Sequence, residues 1–468
     1  DSKYAGAYVK EPIPGQYDWV VSFDLNSLYP HLIMQYNISP ETLQDTRHPS
    51  ATVDKILNEE LTFEMYKDSA VCANGAMYRK DVRGFLPELM EKIYKDRTIY
   101  KKKMLQAKQD YEKTPTKALE KEIARCNNIQ MARKIQLNSA YGAIGNQYFR
   151  YYKLANAEAI TLSGQVSIRW IENRMNGYLN KLLQTEGEDY VIASDTDSIY
   201  LNMGPLVDKF FSGKSGDKTA IVSILDKICE DKLEPFIERS YSDLANYVQA
   251  YEQKMIMKRE NIAERGIWTA KKRYILNVWN SEGVQYSEPK LKMMGIEAVK
   301  SSTPAPCRQM IKDGLKLMMN GTEEDVIKFI DDCRVKFKSL PPEEIAFPRS
   351  VSDVVKYKSH SSIYAKGTPI HCRGALLFNH YIKEHKLTNK YSLINNGEKI
   401  KFIYLKKPNI IQENVISFIQ DFPKELGLDK YLDYDLQFEK SFVEPLKAIL
   451  DAIGWNVEKT VNLELFFA

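Results

Sequence analysis

Three acids carry the chemistry this sequence could do. In Tyr190–Leu201, YVIASDTDSIYL, two apolar, β-prone runs (Tyr190–Ala193 and Ile199–Leu201) flank an acidic centre. The pattern predicts a hairpin with carboxylates at its tip. Asp195 and Asp197 stand two residues apart, so on an extended backbone both point to one face. Carboxylates sharing a face repel, and a divalent metal would reconcile them, because hard cations take oxygen ligands. An acidic turn is the plain alternative, since Asp is common in turns. A second stretch, Val20–Ile33, VVSFDLNSLYPHLI, changes the balance. Val20, Val21 and Phe23 form a strand that delivers Asp24. Ser27 reads as an N-cap, and Leu28, Tyr29 and Pro30 turn the chain into a helix. One acid at a strand end plus two on a hairpin is the minimum for a two-metal site. Such a site holds ions about 3.5–4 Å apart and runs in-line phosphoryl displacement.

Other elements must position these acids. Asp1–Arg83 reads as mixed strand and loop, with extended runs Tyr8–Glu11 and Tyr17–Phe23 and a tight turn at Asn74-Gly75. Ala159–Leu183 has helical spacing of its apolar residues and is expected to pack behind the sheet. Leu86–Glu112 is helical by composition. Thr114-Pro115 breaks the pattern and starts a second helix, Thr as cap and Pro at the first position, which runs to about Tyr141 before Gly142 and Gly145 end it. From Lys92 to Lys134, thirteen Lys and Arg face five acids, a balance of +8. A charge run is usually a solvated helix face. Yet Arg97 and Lys101 are four apart, and Lys134, Asn138 and Tyr141 fall at i, i+4 and i+7, so each set shares a face. Two such faces opposed across an αα-hairpin make a clamp for a triphosphate. Further on, Lys254–Glu260, KMIMKRE, brings Glu260 to another strand end. Lys271–Tyr274, KKRY, opens an apolar strand with Lys272 and Tyr274 on one face. After Thr303-Pro304-Ala305-Pro306 the chain reads as helices with charged faces over Arg308–Asn320, Glu323–Phe337, Pro408–Phe418 and Tyr431–Ala452.

Composition excludes several classes. The chain has 468 residues, 44% hydrophobic and 27% charged, enough for two or more domains. Its net charge of +4 comes from 66 basic and 62 acidic residues, so the distribution of charge, not its sum, must identify a polyanionic partner. Six scattered cysteines with no C-x-x-C pair fit a reducing compartment rather than a disulfide framework or zinc site. No apolar run approaches the roughly 18 residues of a membrane span.

DLNSLYP and DTDS resemble motifs A and C of the family B DNA polymerases, and KIQLNSAYG (Lys134–Gly142) resembles motif B. KKRY is similar to the family's primer-duplex-binding motif, and Tyr4–Ala7, YAGA, to the element joining its exonuclease and polymerase regions. The flanking text YFRYY, EGVQYSEPKLKMMG and KSSTP looks most like the T-even-type phage replicative polymerases. The resemblance covers almost the whole chain from Tyr4 and weakens across Asp208–Asn246 and the last hundred residues.

The resemblance implies an α+β right-hand polymerase core: an antiparallel-sheet palm over 1–85 and 147–299, helical-hairpin fingers over 86–146, and a mostly helical thumb with a tail over 300–468. It implies template-directed addition of deoxynucleotides to a primer 3′ end with two Mg²⁺ ions, for which Mn²⁺ would substitute. Asp24 and Asp197 would bridge the ions, the Leu25 carbonyl would complete one of them, and Asp195 would be the lesser carboxylate. Ser27 and Leu28 would offer backbone N–H groups to the phosphates, with Arg97, Lys101 and Lys134 gripping the triphosphate. Tyr29 would exclude a 2′-hydroxyl. Asn138, Tyr141 and Gly142 would line the nascent base pair, Lys272 and Tyr274 would touch the primer, and Glu260 would stand near the metals. In the thumb, Lys300, His371, Arg373 and Asn379 are candidate phosphate ligands. Leu463, Leu465, Phe466 and Phe467 would dock on a sliding clamp. An exonuclease half, separate or removed, is expected, with the cytoplasm of a host cell as the working place. The family usually carries Tyr-Gly where this chain has Ala193-Ser194, an exchange expected to loosen primer placement and restrict the backbone. Two rivals stay open, a two-metal nuclease and a polymerase-shaped DNA-binding module without catalysis.

Overall fold

The computed structural model describes residues 5–212 and 216–457, and the chain divides into two compact units, up to Met294 and from Gly295 on. In the first unit β1 (Gly15–Leu25) runs into α1 (Leu28–Tyr36). A short helix, α2 (Val53–Leu57), precedes a small hairpin of β2 (Ser69–Val71) and β3 (Met77–Arg79). Its turn holds Gly75 at φ +86°, where a Cβ would sit 2.7 Å from the His48 carbonyl oxygen, so the Asn-Gly signal is explained by both backbone and space.

Two long antiparallel helices follow, α3 (Phe85–Lys113) and α4 (Lys117–Ile144). The break between them falls where expected, but the cap does not. Thr116, not Thr114, accepts a hydrogen bond from the Leu119 amide. Gly142 lies inside α4, and the helix continues to Ile144 before Gly145 caps it. One Gly in a helix costs about 1 kcal/mol relative to Ala and does not by itself stop it.

The next helix, α5 (Leu154–Leu183), is buried along much of its length. It packs beneath the acidic hairpin of β4 (Val191–Asp195) and β5 (Ser198–Asn202). Then come α6 (Gly204–Phe211), α7 (Lys218–Ile228), a π turn at Cys229–Leu233 and α8 (Glu234–Tyr247). Three long strands close the unit: β6 (Met257–Ala270), β7 (Arg273–Ser281) and β8 (Val284–Met294). They join one six-stranded antiparallel sheet of order β4-β5-β1-β6-β7-β8. One face buries Val21, Phe23, Ile199 and Leu201 with Ile160, Ile168 and Ile171 of α5. The other face carries Val20, Ala193, Tyr200, Trp268 and Tyr274. Tyr8–Glu11 forms no strand, only a bridge from Val9 to Asp195.

The second unit is mostly helical in its regular structure, as expected, but it also holds a three-stranded sheet that the expectation lacked. The helices α9 (Ala305–Asn320) and α10 (Glu323–Lys338) are there, α10 with a Thr322/Asp325 capping box. After the short α11 (Pro342–Ile345) comes β9 (Phe347–Ser350), then α12 (Ile370–Glu384). Next are β10 (Lys399–Tyr404) and β11 (Val415–Phe418), and the three strands make an antiparallel sheet covered by α12. Pro408–Phe418 is therefore loop and strand, not helix. Lys407-Pro408 is cis, and Val415–Phe418 is buried on both faces, an apolar run too short for periodicity to separate strand from helix. Tyr431–Ala452 is helical from Tyr434 on, α13 (Tyr434–Phe438) running through a π turn (Glu439–Val443) into α14 (Glu444–Ala452).

Candidate active site

The acidic hairpin and the β1–α1 junction meet through the backbone. The Leu25 amide donates to the Asp197 carbonyl at 2.7 Å, and Asp24 lies opposite Ser198, itself opposite Asp195. Cross-strand partners share a face, so Asp24 and Asp195 both point to the sheet face away from α5. Asp197 is not on a strand at all. It follows Thr196 (φ 58°) in a two-residue turn, its amide 2.6 Å from the Asp195 carbonyl. The two-residue spacing thus does not place Asp195 and Asp197 side by side on one extended face. Both border a cavity of about 400 Å³ with Asp24, Glu260 and Lys272. Asp24, Asp197 and Glu260 also border the larger neighbouring cleft of about 520 Å³; Asp195 does not, and pairs with Lys272 at 3.5 Å.

The carboxylates are poorly neutralised. Burial raises the Asp24 carboxyl well above its usual range, reinforced by a hydrogen bond to Glu260 and by the charges of Glu260 and Asp197. For Glu260, burial works upward, but the Asp24 hydrogen bond and Lys292 at 3.3 Å outweigh it and hold it low. Asp197 is pushed up to about 6 by burial and by the charges of Asp195 and Glu260, partly offset by Lys134. Asp24 Oδ1 is buried with no hydrogen-bond partner, which costs about 1–3 kcal/mol unless something fills its shell. Among the described residues, no three His, Cys, Asp or Glu side chains converge on one point as metal donors. The residues still fit Mg²⁺, which usually takes one or two carboxylates and completes its shell with waters and substrate phosphates. Asp24, Leu25 and Asp197 all border the cleft, and the two carboxylates are the oxygen donors that could hold the ion there.

The other cleft wall is built by α1, α3 and α4. Ser27 does not cap α1 with its side chain. Its backbone is left-handed (φ 40°), and its Oγ accepts a hydrogen bond from Arg97 Nη1 at 3.0 Å. Arg97 is buried, also bonded to Gln130 at 3.4 Å, and desolvation lowers its pKa. Lys101, one turn on, pairs with Glu282 at 2.8 Å. Lys134 and Asn138 of α4 border the same cleft with Ser27, Leu28 and Tyr29. The Tyr29 ring lies against Tyr141, centroids 4.4 Å apart and planes tilted 36°. Beneath it is Gly164 of α5, where a Cβ would come within 3.3 Å of Tyr29 Cε1. So Asp24, Leu25, Ser27, Leu28, Tyr29, Arg97, Lys101, Lys134, Asn138, Asp197 and Glu260 surround one cleft.

Several expectations need correction. Lys272 sits in the β6–β7 turn (φ 61°) rather than on the strand, so it does not share an extended face with Tyr274. Tyr274 stacks on Trp268 at 5.3 Å and bonds the Tyr200 hydroxyl at 2.6 Å, which makes it a fixed part of the wall. Glu260 lies within β6, not at its end. Ser194 pairs with Ile199, so its side chain faces α5 rather than the cleft, its Oγ buried without a partner; Ala193 faces the cleft side opposite Tyr200. In the second unit Arg373 is held by Glu413 at 3.1 Å, Asn379 bonds both backbone groups of Ile394, and His371 is buried. None of the three is a free phosphate ligand. Lys300 is exposed in a turn closed by Thr303. Leu463, Leu465, Phe466 and Phe467 lie outside the described residues.

Sequence reasoning missed Glu282, Lys292 and Gln130. Glu282-Gly283 has the look of a hairpin turn, and that was the available signal for Glu282. The other two act through partners distant in the chain and leave no local mark.

Residues 1–219 match the model of DNA polymerase family B. The chain is 35% identical to the DNA-directed DNA polymerase of Escherichia phage RB69, over 98% of this chain and 56% of that one. It is 31% identical to the DNA-directed DNA polymerase of Enterobacteria phage T4, over 99% and 57%, and 25% identical to a DNA polymerase of Thermococcus gorgonarius. The chain thus spans about half the length of the curated relatives it matches. No helix among the described residues is long and apolar enough to cross a membrane. Its motifs, its mixed fold with antiparallel sheets and these relatives agree: the chain belongs to DNA polymerase family B.

Proposed function

We propose that this chain is the polymerase portion of a phage-type DNA-directed DNA polymerase, with the six-stranded sheet and α5 as palm, the α3–α4 hairpin as fingers and the second unit as thumb. The observation that carries the reading is the cleft itself. Two undercompensated acids stand on one wall, and Arg97, Lys101 and Lys134 stand around it. A nucleoside triphosphate with divalent cations supplies the charges each wall lacks.

In this reading Asp24 and Asp197, with the Leu25 carbonyl, hold two Mg²⁺ ions. Bound there, the ions would lower the pKa of the primer 3′ hydroxyl and offset charge on the departing pyrophosphate. Cation charge beside Asp24 would favour its ionised carboxylate. Arg97 and Lys101 orient the β and γ phosphates, and the left-handed Ser27 aims backbone N–H groups at them. Lys134 neutralises phosphate charge from α4. Tyr29, fixed between Tyr141 and Gly164, lies where the sugar would stand. Asn138, Tyr141 and Gly142 border the new base pair. Lys272 approaches the primer backbone, and Lys300 serves the product duplex by phosphate contact.

Primer extension on a short primed template with Mg²⁺ tests this. The expected result is template-dependent elongation that stops on chelation. Metal-dependent shortening of the primer would favour a nuclease, and retention of DNA without elongation a binding module.

A further inference from the structure

A second cavity adjoins the acidic cleft. It lies behind the cleft, has a volume of about 570 Å³, and is walled by α3, the π turn between α7 and α8, β6 and the β7–β8 turn. It shares six residues with the cleft: Asn26, Arg97, Lys101, Lys258, Arg259 and Glu282. The two spaces are therefore neighbours that share these residues as a common wall.

The dividing side chains are charged and paired. Lys101 meets Glu282 at 2.8 Å, Lys258 meets Glu234 at 3.8 Å, and Arg259 meets Asp226. Each of these three cations is held by an acid from the rear wall or the β7–β8 turn, whereas Arg97, also shared, bonds Ser27 and Gln130. Glu282 sits in that turn with left-handed backbone (φ 51°), its amide donating to the Glu260 carbonyl at 2.6 Å. Lys101 and Glu282 are each about one-third exposed, so an arriving anion can compete for the ammonium group at modest cost. Farther back, Lys102 and Glu230 are exposed and border only the rear cavity of the two.

We propose that this rear cavity is the passage for the inorganic pyrophosphate released at the cleft, with the Lys101–Glu282 pair as its gate. The inference rests on the polymerase reading above. In that reading the primer–template and nucleotide fill the cleft, while the leaving phosphates lie on Arg97 and Lys101, the two residues that open to the rear. A small tetravalent anion would pass from cation to cation as each exchanges its carboxylate partner. Glu282 would then re-pair with Lys101 and reset the site. No covalent step is involved.

The test uses the reverse reaction, in which pyrophosphate must enter. Lys102→Glu and Glu230→Lys reverse exposed charges that touch only the passage, so folding should survive, and thermal melting checks that it does. With the full chain and primed DNA, the pyrophosphate KM should rise about fivefold in Lys102→Glu and fall by a similar factor in Glu230→Lys, effects that shrink in high salt. The dissociation constant of the deoxynucleoside triphosphate, measured on a primer ending in a dideoxynucleotide, should stay within twofold in both. An unchanged pyrophosphate KM, or a parallel shift in the nucleotide dissociation constant, would overturn the passage while leaving the polymerase reading intact. A wild-type chain that neither extends nor degrades primers under these conditions would overturn that reading and the passage with it.

Discussion

The two walls of the cleft are prepared for substrate in opposite ways. The acid wall lies on strand β1 and the β4–β5 turn, largely buried, with Asp24 Oδ1 left without a partner and two carboxyls pushed up toward protonation. The basic wall lies on two helices and is largely satisfied: Arg97 bonds Ser27 and Gln130, and Lys101 pairs with Glu282. A rigid, unsatisfied acid pair waits for a cation that must bind strongly. Satisfied, partly solvated cations suit an anion that must bind, react and leave. Charge stored on a sheet therefore serves chemistry, and charge stored on a helical hairpin serves exchange.

The hardest break in this comparison is on the acid side. Asp24→Ala or Asp197→Ala should lower extension by a thousandfold or more, about 4 kcal/mol of barrier, while primer–template binding in a gel shift stays near wild type. Asp195→Ala, whose partner is Lys272, should cost roughly ten- to a hundredfold by comparison. Near-normal turnover in either of the first two variants would remove the metal assignment.

The next effect falls between the walls. Tyr29→Ala should raise ribonucleotide incorporation relative to deoxynucleotide by about two orders of magnitude, because the ring's position against Tyr141 is what meets a 2′-hydroxyl. Deoxynucleotide incorporation should change far less. Equal losses for both sugars would instead make Tyr29 a packing residue that seals α1 against α5.

A smaller contrast separates two cations one turn apart. Arg97→Ala should raise the nucleotide KM by roughly ten- to a hundredfold, and Arg97→Lys should not restore it, since a point charge cannot replace the fork that reaches both Ser27 and Gln130. Lys101→Ala should cost less, roughly threefold to tenfold, because that side chain gives up its bond to Glu282 before it can serve a phosphate. Steady-state titration of nucleotide for the three variants orders the losses; a larger loss at Lys101 would reverse the assignment.

What the sequence disclosed follows the range of each interaction. Asp24, Asp197 and the faces of α3 and α4 were legible, since strand ends, turn residues and helical spacing are local signals. The true cap, Thr116, was mistaken for Thr114 because both stand beside Pro115 and spacing alone cannot choose. The sheet of β9, β10 and β11 was hidden because its strands are short and are joined across a long stretch of chain. Arg373, Asn379 and Tyr274 looked available because Glu413, Ile394 and Tyr200 lie 40, 15 and 74 residues away. The pairing of Lys101 with Glu282, which distinguishes the basic wall, likewise has no local signature.

The mildest prediction measures the stored charge directly. An acid whose pKa is raised on folding binds its proton more tightly in the folded state, so stability declines as pH rises from the unfolded value to the folded one. For Asp197 that window runs from 3.8 to about 6, and Asp24, raised further by burial and Glu260, extends the decline above it. In chelator, the melting temperature should therefore drop by a few degrees between about pH 4 and 7 through these two groups. Saturating Mg²⁺ at pH 7.5 should recover it, because a ligand that binds only the folded state stabilises it. Asp197→Asn should flatten the pH dependence and remove most of the Mg²⁺ response, whereas Lys101→Ala should alter neither. If the wild-type melting curve is indifferent to both pH and Mg²⁺ while Asp24→Ala still abolishes extension, the acids are needed for catalysis but are not held under electrostatic stress. The contrast between the two walls would then reduce to one of position alone.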